Sequence, residues 1–164
     1  MINLNNPKEV ANFITENLGS HKQFALATVD RDGKPWTVCL NLTYDELGNI
    51  IWKSEKSTQH SNHILTNPEV AICIFSENEA RGDFGLYCRA KAHEVTEISE
   101  LNRLIKIRFA LKGKPIPKVS DFLGESNSRI YYAEIYKMYF NDDKHIKTKV
   151  DLSKLRSAIR ANWG

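Results

Sequence analysis

With 164 residues and a hydrophobic fraction of 41%, the chain is too short for two ordinary domains but apolar enough for one packed core. Its formal net charge of +3 calls for no nucleic acid, and no apolar run approaches the roughly 20 residues of a membrane span. Three widely spaced cysteines, Cys39, Cys73 and Cys88, exclude a disulfide framework and a Cys-x-x-Cys metal site; with no leader-like stretch at the start, a reducing cytoplasm is the expected compartment.

Asn6-Pro7-Lys8-Glu9 opens a helix, with Asn6 as cap, Pro7 in the first turn and Glu9 against the dipole. Val10, Phe13, Ile14 and Leu18 share one face of it, and Gly19 stops it. A strand over 24–29 and the turn Asp30-Arg31-Asp32-Gly33 come next. Residues 36–44 then alternate, with Trp36, Val38, Leu40, Leu42 and Tyr44 at the even positions, the period of a half-buried strand. A turn over 45–49 returns the chain into Ile50-Ile51-Trp52-Lys53, making a meander. Ser57 or Thr58 caps a short helix containing Ile64 and Leu65, which ends at Asn67-Pro68.

Strands are expected over 70–75 and, after Arg81-Gly82-Asp83-Phe84-Gly85, over 86–95. Leu101, Leu104, Ile105, Arg108 and Phe109 fit a helix, and residues 112–128 form a long loop of the kind used as a lid or subunit contact. Strands over 130–135 and 138–141 precede a basic stretch carrying Lys144, His145, Lys147, Lys149, Lys154, Arg156 and Arg160. That stretch reads first as solvated surface, then as a contact for a phosphate-bearing ligand, and last as a polyanion site. Six or seven strands with few helices between them predict a mainly β fold, a closed or partly closed antiparallel barrel, and argue against a parallel doubly wound sheet. No repeat divides the chain, so residues 1–164 are one domain, with an N-terminal helix over 1–19 and a basic C-terminal tail over 142–164.

Residues 50–60 carry the most chemistry. A strand ends in Lys53-Ser54-Glu55-Lys56 and a helix begins at once with Ser57-Thr58-Gln59-His60. Free N–H groups at a helix start, hydroxyls and lysines suit a phosphate. Capping by Ser57 or Thr58 beside solvated lysines accounts for the same residues. His60 and His63 share a helical face, but a metal needs a third ligand that is not in sequence reach. Trp36 and Trp52 read as core or interface residues, or as walls for an aromatic ligand, Trp52 above all. Tyr131, Tyr132, Tyr136, Tyr139 and Phe140 read as core or subunit contact, or as part of a ligand wall. No nucleophile, base and orienter pattern and no Gly-rich phosphate loop is present.

The order Ala27-Thr28-Val29-Asp30-x-Asp32-Gly33-x-Pro35, then Ile51-Trp52-Lys53-Ser54, then Ser57-Thr58-x-His60-x-x-x-Ile64-x-x-Asn67-Pro68-x-Val70-Ala71 resembles the pyridoxamine 5'-phosphate oxidase-like family of FMN-binding split barrels. The resemblance implies a six- to seven-stranded antiparallel split β-barrel with flanking helices, pairing as a homodimer around FMN. Val38, Cys39, Leu40 and Asn41 would line the flavin, mainly through main chain. Trp52, Lys53 and Ser54 would lie beside the ribityl chain and phosphate, and Ser57, Thr58 and Gln59 would finish the cradle. Asn141 and Lys147 occupy a junction that approaches the cofactor in small relatives. Where the oxidase proper carries arginine on its second strand and an Arg-Lys pair in the cradle, this chain has Val38, Thr58 and Gln59, leaving His60 and Lys53 or Lys56 as sources of charge. The oxidase's carboxy-terminal substrate motif is absent, so pyridoxamine phosphate oxidation is not expected. The expectation is a flavin-dependent oxidoreductase with a small-molecule substrate, NAD(P)H as a candidate electron donor and no catalytic side chain. The alternative is a split-barrel binding protein for haem or another small ligand.

Overall fold

The computed structural model describes residues 6–20, 23–76, 84–141 and 147–163. The readings made on residues 1–5, Arg81-Gly82-Asp83, Asp142-Asp143, Lys144 and His145 fall outside it, as do the side chains of Val10, Phe13 and Phe84 and the surroundings of Gly19.

Helix α1 (Pro7–Ser20) starts where Asn6 Oδ1 accepts the Lys8 and Glu9 N–H groups, and it buries Ile14 and Leu18. Strands β1 (Gln23–Val29), β2 (Pro35–Asn41) and β3 (Ile50–Glu55) follow, then α2 (Gln59–Thr66), β4 (Glu69–Ser76) and β5 (Phe84–Glu94). Helix α3 (Ile98–Leu111) is capped by the Glu97 carboxylate, which accepts the Ser99 and Glu100 N–H groups. A 3-10 turn (Val119–Phe122), the long strand β6 (Ser128–Asn141), the short β7 (Lys147–Lys149) and α4 (Leu152–Ala161) complete the chain.

All strand pairs are antiparallel, in the order β2-β1-β4-β5-β6-β3 with β7 on β6. The sheet curls until its ends approach. Phe24 on β1 meets Trp52 on β3 edge-on at 5.9 Å, although three strands separate β1 and β3 in the sheet order. Residues 42–44 make the closure, for Tyr44 bridges Ile50 and the Ile51 N–H donates to the Thr43 carbonyl at 2.8 Å. Beyond that crossing the two end strands have no hydrogen bonds to each other. The fold is thus a mainly β, seven-stranded split barrel with four flanking α-helices among the described residues.

Inward side chains of all the strands except β7 converge with α1 and α4 on one core that includes Phe24, Leu26, Trp52, Ile72, Leu86, Tyr131, Phe140, Leu155 and Ile159. A second, smaller core lies under α3, where Leu101, Leu104 and Ile105 cover Ile51, Ile130 and Tyr132.

Three expectations are corrected. The strand read over 36–44 ends at Asn41, because the chain must leave β1 to reach β3, and Trp36 is 41% exposed. The strands read over 130–135 and 138–141 are one strand, β6, interrupted by a bulge. Arg89 pairs with Lys137 and Ala90 with Ile135, so Tyr136 has no cross-strand partner. The basic tail is structured over its described part. Val150, Leu155 and Ile159 are buried while the lysines stay outside, a pattern that charge counting alone conceals.

Candidate functional site

The split is built from two strand edges. β2 pairs with β1 along its whole length, from Val29↔Pro35 to Gln23↔Asn41, so its other edge is free. β3 pairs with β6 on one side. On its other side the residues 43–44 engage only Ile50 and Ile51. From Trp52 to Glu55 that edge has no strand partner. At the crossing Arg108 Nη1 donates to Thr43 Oγ1 at 2.9 Å and to the Ile51 carbonyl at 3.3 Å. Burial alone draws the Arg108 guanidinium down to about 10, with no carboxylate in ion-pair range among the described residues.

The far end of the split is the start of α2, which two imidazoles clip to the barrel. Ser54 Oγ and His60 Nε2 are hydrogen-bonded at 2.7 Å, and Thr28 Oγ1 and His63 Nδ1 at 3.0 Å. Both histidines and Ser54 are buried, and Thr28 is fully so. Burial, and secondly the neighbouring His63, lower the His60 pKa, which keeps its ring neutral near pH 7. The turn is tied as well to the residue just before β6, where the Asn127 carbonyl accepts the Lys56 N–H at 2.9 Å and Asn127 Nδ2 donates to Glu55.

Thr58 takes the cap position of α2 but does not cap it. Its hydroxyl lies at hydrogen-bonding distance from the Glu55 carbonyl and Ser61 Oγ, and makes no bond to a first-turn N–H. The helix start therefore keeps its N–H groups for another acceptor. Lys53, Lys56, Ser57 and Gln59 around it are exposed.

Of the residues singled out in the sequence, Lys53, Ser54, Ser57, Thr58, Gln59 and His60 are brought together here. Val38 and Leu40 are half-buried and Cys39 and Asn41 exposed along the β2 edge. Trp52 is different, because its indole is fully buried, stacked on Tyr131 at 5.5 Å, with Nε1 unpartnered. Only its main chain reaches the split, so the indole is a core residue and not a wall for an aromatic ligand. Asn141 and Lys147 pair with each other at the end of β6 farthest from its β3-paired segment. The Asn141 amide oxygen is buried without a partner over Gly85, whose Cβ would lie 2.7 Å from it. The Lys147 ammonium sits 4.7 Å over the Tyr87 ring.

The Thr28 clip and the Arg108 bond to the crossing were missed in the sequence. Thr28 stood in the motif that carries the resemblance, but nothing local tied it to His63, 35 residues on. Arg108 gave a signal, a charge seven residues after Leu101 and four after Leu104 on the apolar face of α3. Among the described residues no group of three or more His, Cys, Asp or Glu side chains could hold a metal. The arrangement can receive an anion at the α2 end and a flat hydrogen-bonding body along the free strand edges.

A family profile described as pyridoxamine 5'-phosphate oxidase matches residues 7–133. No functionally curated protein matches the sequence. Among solved structures, the conserved hypothetical protein Rv2991 of Mycobacterium tuberculosis superposes with a TM-score of 0.67 at 16% identity, covering 82% of this chain and 85% of that one. A Clostridium acetobutylicum protein related to general stress protein 26 of the pyridoxinephosphate oxidase family gives 0.62 at 14% identity, with 88% and 96% covered. A heme binding protein of Mycobacterium smegmatis gives 0.66 at 12% identity, and the match spans 87% of this chain but 60% of that one. At these identities the likeness is one of fold.

Proposed function

The chain belongs to the pyridoxamine 5'-phosphate oxidase family, and from that premise we propose that it binds FMN along the split and acts as a flavin-dependent oxidoreductase on a small molecule. The observation that carries the reading is the uncapped start of α2, with Lys53, Lys56, Ser57 and Gln59 exposed around it, at the end of two unpaired strand edges.

The donor set fits the cofactor. First-turn N–H groups, the Ser57 hydroxyl and two lysines suit a phosphate dianion. The main chain of Val38, Cys39, Leu40 and Asn41 offers alternating donors and acceptors to the edge of a flat heterocycle. Neutral His60 contributes position and no charge, holding Ser54 and the α2 start in place, so the lysines must stand in for the second-strand arginine and cradle Arg-Lys pair of the oxidase proper. FMN would supply hydride or electron transfer. The protein's own residues bind and orient it, and no side chain is assigned as acid or base.

A homodimer belongs to the same reading. Asn141 and Lys147 lie away from the split of their own chain, so they would approach a flavin only from a second copy. NAD(P)H is the proposed electron donor and the cytoplasm the proposed compartment. Among the described residues no helix is long and apolar enough to cross a membrane.

Haem is the competing occupant, supported by the heme binding protein among the structural neighbours. Against it, both buried imidazoles near the split are already engaged by hydroxyls. Absorption spectra after separate addition of FMN and haem, followed by gel filtration, decide between them. Retained flavin bands support the proposal, and retained haem without flavin would overturn it.

A further inference from the structure

On the side of the barrel where α4 meets β6 there is a second cleft, of about 670 Å³, lined by Glu69, Lys91, Glu134, Ile135, Tyr136, Leu152 and Arg156. Its wall is the β6 bulge, which turns Tyr136 outward, 48% exposed. A bulge that re-aims a side chain recurs beside binding sites.

The charges here are unusual. Glu69, Lys91 and Glu134 stand side by side across β4, β5 and β6. Glu69 accepts the Tyr136 hydroxyl at 2.6 Å and meets Lys91 at 3.9 Å. The Glu134 carboxylate has no hydrogen bond or ion pair among the described residues, although Glu134 is the register partner of Lys91. Across the cleft Arg156 reaches from α4 to the bulge, where Nη2 donates to the Ile135 carbonyl at 2.8 Å. Its Nε–H has no acceptor. The Glu134 carboxylate and the Arg156 guanidinium thus border the same cleft without an ion pair between them, with Ile135 and Leu152 as the aliphatic part of its lining.

An anion alone would meet Glu69 and Glu134, and a cation alone would meet Lys91 and Arg156. A ligand carrying both charges meets neither conflict. We propose that this cleft binds a free α-amino acid, its carboxylate on Arg156 and its ammonium on Glu134, with an apolar side chain against Tyr136 and Leu152. The site is separate from the split and does not depend on flavin.

The test is an amide-resolved NMR titration of the full-length protein with L-phenylalanine, 3-phenylpropanoate and phenethylamine. Saturable shifts confined to Lys91, Glu134, Tyr136 and Arg156 are expected with phenylalanine. Each single-charge analogue, and the exposed variant Glu134→Gln, should bind on the order of tenfold more weakly, the loss of one charge-assisted contact. Arg156→Lys retains a charge near the bulge and provides a second variant should α4 prove sensitive. Absence of localised shifts up to about 10 mM phenylalanine, an affinity weak by any standard, would overturn the proposal. Equal binding of the analogues, or unchanged binding by Glu134→Gln, would overturn it as well.

Discussion

Tyr132 shows how individual residues fix the approach to the split. Its hydroxyl donates to the buried Asp45 carboxylate at 2.7 Å and accepts from Asn49 Nδ2 at 2.6 Å, while Asn49 Oδ1 takes the Ile135 N–H. Burial, and then the bond to Asp45, push the Tyr132 pKa well above the usual range, so the group stays protonated and donating. Tyr132→Phe leaves the buried Asp45 and Asn49 side chains each short of a partner and should cost about 1–3 kcal/mol in urea unfolding. His60 gives a pH dependence. Its folded pKa lies below its ordinary 6.5, so the unfolded chain binds the proton more readily. The stability it contributes is complete above 6.5 and declines as pH falls toward the folded value. Unfolding midpoints should therefore drop between about pH 7.5 and about pH 5.5, and less so in His60→Asn. At this scale the sequence was partly legible. The cap at Asn6 and the lysine and hydroxyl cluster over 53–60 are local patterns. The bond between Thr28 and His63 joins residues from β1 and α2, and only the folded barrel brings them together.

Among the elements, α4 departs most from what charge patterning suggests. It packs on α1 and closes one end of the core through Leu155 and Ile159. The turn before β3 presses on it too, for Gly48 has φ +75° and a Cβ there would come 2.7 Å from Ile159 Cδ1. Ile159→Ala should cost about 2–5 kcal/mol by denaturant unfolding, as expected for emptying a buried aliphatic site. A solvated tail would lose almost nothing. Most strands and α1 were legible because period-2 and period-3.6 patterns survive burial on one face. The β6 bulge was not, since an extra residue in a strand leaves the hydrophobic pattern locally out of phase without saying which residue is extra. α3 kept its helical pattern, and the charge within it proved to brace the 43–51 crossing.

At the scale of the whole molecule, a barrel that closes over 42–44 and stays open beyond provides two unpaired edges and one anion-ready helix start. The edge formed by Val38, Cys39, Leu40 and Asn41 is half-exposed in the single chain, which is why pairing of two copies belongs to the proposed function. Sedimentation should give a dimer, and Val38→Asp should shift it toward monomer; a monomer for the unaltered chain would contradict the pairing. The most direct test of the central claim is a side-by-side titration with FMN and riboflavin, which differ only by the phosphate. If the α2 start is the cradle, FMN should bind at least about tenfold more tightly, and replacing Lys53 and Lys56 with methionine should narrow the gap. Equal affinity for the two flavins, or no binding of either, would contradict the account.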